Sequence, residues 1–77
     1  MKISIEYCMQ WNYEQKALSL RDKIQSRYGI DAELISSGGG VFEVTLNNSL
    51  IFSKKELGRF PNENEIEKIL DDYEWIT

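Results

Sequence analysis

Lys2-Ile3-Ser4-Ile5-Glu6-Tyr7-Cys8-Met9-Gln10-Trp11-Asn12-Tyr13 is the stretch that decides how this chain folds. From Lys2 to Tyr7 polar and apolar residues alternate, Ile3, Ile5 and Tyr7 on one side and Lys2, Ser4 and Glu6 on the other, which predicts a half-buried strand. After the Cys8-Met9-Gln10-Trp11 turn the period changes from two to that of a helix. Ala17, Leu20, Ile24 and Tyr28 recur at helical spacing, and Asn12 with Gln15 three places on matches a capping box. The helix is expected to run to about Arg27 and to stop at Gly29. A strand, a short turn bearing one thiol and a helix therefore open the chain.

Working outward, Asp31 to Ser36 contains Ala32, Leu34 and Ile35, a second short strand that ends where Ser36, Ser37 and Gly38 to Gly40 interrupt regular structure. Val41 to Leu46 and Leu50 to Ser53 are β-rich runs separated by Asn47 and Asn48, which tolerate the left-handed backbone of a tight hairpin turn. Lys54 to Pro61 reads as a charged loop. Beyond it, Asn62 or Asn64 can cap a last helix with a buried stripe of Ile66, Ile69, Leu70 and Tyr73. The expected order is β-α-β-β-β-α, within a single domain spanning residues 1–77, because so short a chain cannot divide its apolar residues between two cores.

Composition narrows the chemistry. Thirteen acidic against nine basic residues leave a net charge of −4, which opposes the phosphate neutralisation that nucleic-acid binding needs. With no histidine and one cysteine, the chain holds no Ser/His/Asp or Cys/His nucleophile pair, no Cys-rich zinc site and no internal disulfide. No metal site is expected. The opening residues lack the apolar run of a signal peptide or membrane span, so the expectation is a cytoplasmic protein without nucleic-acid or membrane partners.

Cys8 is the one nucleophile of note. Between a strand and a helix, its sulfur would meet unpaired backbone amides and the positive end of the helix dipole, an environment that favours thiolate. A lone cysteine is also commonly a small apolar filler in a core, and position alone leaves both readings open.

Tyr7-Cys8-Met9-Gln10-Trp11-Asn12-Tyr13 resembles the active-site segment of the selenoprotein W-like (Rdx) family. Three further segments resemble that family in the same order: Gly40-Val41-Phe42-Glu43-Val44, Phe52-Ser53-Lys54-Lys55 and Gly58-Arg59-Phe60-Pro61. The resemblance spans Ile3 to about Trp75. It implies an α+β two-layer, thioredoxin-like β-α-β-β-β-α fold, with a four-stranded mixed sheet and two helices, and it implies Cys8 as the catalytic thiol. The family's second redox position, a cysteine or selenocysteine, is occupied here by Trp11. Dithiol chemistry within the chain is thereby removed, and an external thiol such as glutathione would have to act as co-substrate and resolve a mixed disulfide at Cys8. No resident cofactor is implied. In that family the second position can be encoded as selenocysteine by UGA, a codon that some translation systems read as tryptophan; a UGG codon in the native gene would make Trp11 the natural residue.

Trp11 supports a second reading, a redox-inactive module in which Met9, Trp11 and Phe60 form an apolar patch that holds a protein partner; folding of the Trp11 ring over the first helix is the structural alternative. Lys54, Lys55 and Arg59 could attract a glutathione carboxylate, although exposed basic loops commonly serve solubility. Gly38-Gly39-Gly40 is read as a turn rather than a phosphate cradle, since it leads into a strand and not a helix.

Overall fold

The computed structural model describes residues 2–10 and 12–73. The expected alternation becomes strand β1 (Ile3–Cys8), in which Ile3, Ile5 and Tyr7 are buried and Ser4 and Glu6 are half-buried. Helix α1 (Tyr13–Tyr28) buries Ala17, Leu20 and Ile24 and ends at Gly29, whose left-handed backbone (φ 68°) lets its N–H return to the Gln25 carbonyl. The capping box does not form. Asn12 has φ −93° and ψ 11°, away from the extended backbone of a side-chain cap, and only its carbonyl joins the helix, accepting from Lys16 N–H at 3.2 Å.

Strand β2 (Glu33–Ser37) runs parallel to β1, with Cys8 opposite Ser37. Strand β3 (Phe42–Leu46) runs antiparallel to β1, with Tyr7 opposite Phe42. Strand β4 (Ser49–Ser53) pairs with β3 across the Asn47-Asn48 turn, where both residues take positive φ (51° and 70°) as a two-residue hairpin requires. The sheet order is β2-β1-β3-β4, mixed and four-stranded, as the resemblance implied.

Two corrections concern the last third of the chain. The charged loop contains a short helix, α2 (Lys54–Leu57), because Ser53 Oγ accepts from Glu56 N–H at 3.1 Å while donating to the Glu43 carboxylate. Helix α3 (Glu65–Asp72) buries Ile66, Leu70 and, unexpectedly, Glu67, whereas Ile69 is half-buried and Tyr73 is 37% exposed. The helix stops at Asp72, and Tyr73 leaves in an extended conformation (ψ 137°), which breaks the expected stripe. The ends of α1 and α3 are tied by Arg27 and Tyr28, both hydrogen-bonded to Asp71, and by the Tyr28 hydroxyl donating to the Glu67 carbonyl at 2.9 Å.

The core joins one face of the sheet to the helices: Ile3, Ile5, Tyr7, Phe42, Val44, Leu46 and Phe52 from strands, with Ala17, Leu20, Ile24, Ile66 and Leu70 from α1 and α3. Burying apolar surface on this scale is the main favourable contribution to folding. Among the described residues no helix is long and apolar enough to cross a membrane.

Candidate functional site at the carboxyl end of the first strand

Sheet order dictates what surrounds Cys8. β1 lies between β2 and β3, so the connection from Ser37 to Phe42 must pass over the carboxyl end of β1 and bridge two strand spacings, about 10 Å. That end is where Cys8 stands. The crossing segment, residues 38–41, is fastened on both sides: Cys8 N–H donates to the Val41 carbonyl at 2.9 Å and Met9 N–H to the Ser37 carbonyl at 3.1 Å. Gly39 and Gly40 take φ values of 71° and 70°, which a side chain would disfavour. The triple glycine is therefore a strap across the carboxyl end of β1, where Cys8 stands.

The last residue of β1, and not the first of the following turn, Cys8 is a free thiol 2% exposed. Helix α1 starts five residues later, at Tyr13. Met9 is 70% exposed beside it. Trp11, where the resemblance implies the family's second redox residue, and a candidate partner contact, lies outside the described residues.

Phe60 is half-buried rather than part of an open patch. Its ring packs edge-on against Tyr13 (4.8 Å between centroids) and Phe42 (5.4 Å). Tyr13 in turn abuts the strap, since a Cβ built on Gly40 would stand 3.5 Å from the Tyr13 hydroxyl. Tyr7 is core, as its place on the apolar side of β1 implied. The aromatic cluster thus braces the strap from the helix side.

The basic residues separate. Arg59 is bound to Glu65 through two hydrogen bonds, 2.7 and 3.1 Å, and to the Phe60 carbonyl at 3.1 Å, so its charge is already matched. The Arg59 hydrogen bonds, followed by the Asn62 N–H, hold the Glu65 carboxyl below the usual carboxylate range. Lys54 instead stands over the Tyr13 and Phe60 rings at 5.5 and 5.4 Å, joined there by Lys16 at 4.7 Å from the Phe60 centroid. Lys55 is exposed. Sequence reasoning missed Lys16, because only the fold brings it to the ring of Phe60, 44 places further along the chain. Among the described residues no group of three acids or thiols could hold a metal ion.

A mixed sheet of this order, with a thiol at the end of its first strand ahead of a helix, defines a thioredoxin-like domain. The Rdx family model matches residues 2–72, and the chain belongs to the Rdx family of selenoprotein W-like proteins. It is 37% identical over 67 residues to migration and invasion enhancer 1 of Bos taurus, covering 86% of this chain and 58% of the bovine protein. It is 43% identical over 48 residues to a thioredoxin reductase-like selenoprotein T homologue of Drosophila melanogaster, covering 62% of this chain and 23% of that protein. The chain thus spans little more than half the length of the bovine relative. Among solved structures, it resembles a selenoprotein W-related protein of Vibrio cholerae (TM-score 0.77, 26% identity, 92% of each chain). It also resembles a Bordetella parapertussis protein (TM-score 0.84, 26% identity, 92% of this chain and 94% of that one).

Proposed function

We propose that the protein carries out thiol-disulfide exchange through Cys8 alone, with glutathione as co-substrate. The observation that carries this reading is the position of Cys8, at the carboxyl end of β1 beside a glycine strap, in a chain whose family is redox-related and thioredoxin-like. The Cys8 sulfur, as thiolate, attacks the glutathione sulfur of a mixed disulfide between glutathione and a substrate thiol; a Cys8–glutathione disulfide forms, the S–S bond to the substrate breaks, and the substrate leaves as thiolate and takes up the proton that Cys8 gave to solvent. Reduced glutathione then attacks the adduct and regenerates both Cys8 and glutathione disulfide, because the chain has no second cysteine to do so.

Burial sets the terms of this chemistry. A sulfur only 2% exposed cannot meet the attacking disulfide in line until it is uncovered, so exchange is gated by local opening. Titration of the native protein with glutathione disulfide, read by intact mass, should give one reversible adduct that Cys8→Ser abolishes. Modification only after unfolding would favour the buried-filler reading.

The second reading, a redox-inactive module that holds a protein partner at this end of the sheet, draws on the exposure of Met9 beside Cys8. Under it, Trp11→Ala weakens partner capture and leaves thermal stability almost unchanged.

A further inference from the structure

Lys16 belongs to the first turn of α1 and Lys54 opens α2, yet both ammonium groups stand over the same Phe60 ring, at 4.7 and 5.4 Å from its centroid. A shared ring keeps the two charges within about one Debye length of each other, ~10 Å at 0.1 M salt. Among the described residues no carboxylate pairs with either, whereas Arg21, Arg27 and Arg59 each meet an acid. Lys16 is exposed and Lys54 half-buried beside these rings. In a chain with an excess of acids, two cations share one ring with neither paired to a carboxylate among the described residues.

Their location ties them to the thiol. Phe60 packs on Phe42, the residue after Val41, whose carbonyl holds the Cys8 amide, and the neighbouring Tyr13 hydroxyl lies against the strap. Lys16 also borders a groove of about 450 Å³ between α1 and the segment 61–67, whose walls hold Lys23 as well as Glu63 and Glu67, so that an anion is favoured at the Phe60 end, where Lys54 adds its charge, rather than along the groove.

We propose that Lys16 and Lys54, held over Phe60, form an anion subsite that seats a carboxylate of the thiol or disulfide reacting at Cys8, so that the protein selects carboxylate-bearing partners over neutral ones. The inference rests on the reading of Cys8 as the exchanging thiol. Exchange follows the same balance with any such disulfide: its S–S bond breaks, the Cys8 mixed disulfide forms, and the other half leaves as thiolate. Carboxylates of a small thiol and of an acidic peptide share this chemistry.

The experiment compares the rates at which native Cys8 reacts with dithiobis(nitrobenzoate), which carries a carboxylate on each half, and with neutral dithiodipyridine. At about 0.01 M salt, the Lys16→Gln/Lys54→Gln double variant should react about three- to tenfold more slowly with the anionic reagent and at an unchanged rate with the neutral one. The difference should largely vanish near 0.5 M salt, where the Debye length is about 4 Å. A cysteinyl disulfide of an acidic peptide and glutathione disulfide, run in parallel, distinguish the two sources of the carboxylate. Equal effects on both reagents, or a lowered melting temperature with selectivity intact, would overturn the proposal and reduce the lysines to struts on the ring. Failure of native Cys8 to react with either reagent would instead refute the exchange reading on which the proposal depends.

Discussion

Alanine at Gly39 or Gly40 weakens the strap without filling space. A Cβ on Gly39 meets nothing within 4 Å, and one on Gly40 meets only the Tyr13 hydroxyl, at an ordinary contact distance of 3.5 Å. The cost is therefore that of a left-handed backbone in an L-residue, about 1 to 2 kcal/mol at either position. If Cys8 is reached by opening of the strap, that cost raises the open population about 5- to 30-fold, and the native-state rate of alkylation by iodoacetamide rises with it. Gly29→Ala provides the control. It also takes a positive φ (68°) with open space around its Cβ, but it closes α1 at the end remote from Cys8. Mass spectrometry of the alkylated chain, with urea denaturation to match the global stabilities, separates the cases. The strap variants should react faster than wild type, and Gly29→Ala, equally destabilised, should not. An equal acceleration in all three would mean that Cys8 is reached only by global unfolding, and no acceleration in any would refute gating by the strap.

Other consequences are as specific. Leu70→Ala, at a fully buried position of α3, should cost about 2 to 5 kcal/mol in chemical denaturation. Asn48→Val should be destabilising by more than about 1 kcal/mol in the same assay, since a β-branched side chain opposes the φ of 70° in the hairpin turn, whereas Asn48→Gly should be near neutral. Burial, followed by the hydrogen bond to Asp71, pushes the Tyr28 hydroxyl up to about 12 from 10, so the folded state favours its neutral form. The associated stability is complete below pH 10 and is lost as the pH rises from 10 toward 12; Tyr28→Phe should flatten that part of a melting-temperature profile. Glu65 behaves in the opposite sense. Its lowered pKa makes a stabilising contribution above the ordinary value of 4.5 that is lost as the pH falls below it, and Arg59→Gln should remove most of that acid-side dependence.

The parts of the fold that local physics determines were legible in the residues. Alternation from Lys2 to Tyr7, helical spacing from Ala17 to Tyr28 and the Asn47-Asn48 pair each specify a conformation through nearby contacts alone, and each is present in the structure. Helix α2 was missed because four residues are too few for a periodic signal, although Ser53 and Glu56, three apart, carry the spacing of a helix start. Tyr73 was misplaced because the end of α3, rather than hydropathy, decides which side chains continue its stripe.

At the site the division is the same. A thiol between the first strand and the first helix was readable, with burial as one of its two readings, but not that Cys8 ends β1 at 2% exposure beside a crossing segment, which arises from β1 lying between β2 and β3. Met9 is exposed as the partner-binding reading requires, while Phe60 is engaged by Tyr13 and Phe42. The charged loop pointed to Lys54 and Arg59 alike. Only the structure separates the lysine left without a carboxylate partner among the described residues from the arginine bound to Glu65, and brings Lys16 to the same ring.

The central claim is that Cys8, at the end of β1, is the thiol of a thioredoxin-like exchange site whose resolving partner is absent. Trp11→Cys tests it most directly, because it restores the Cys-x-x-Cys spacing at the place where the family carries its second redox residue. After incubation with glutathione disulfide, intact-mass analysis of the folded variant should show an internal disulfide and only transient glutathione adduct, while the parent stops at glutathionylated Cys8 or a Cys8-linked dimer. A folded variant that accumulates the glutathione adduct and never closes the internal disulfide would contradict the account.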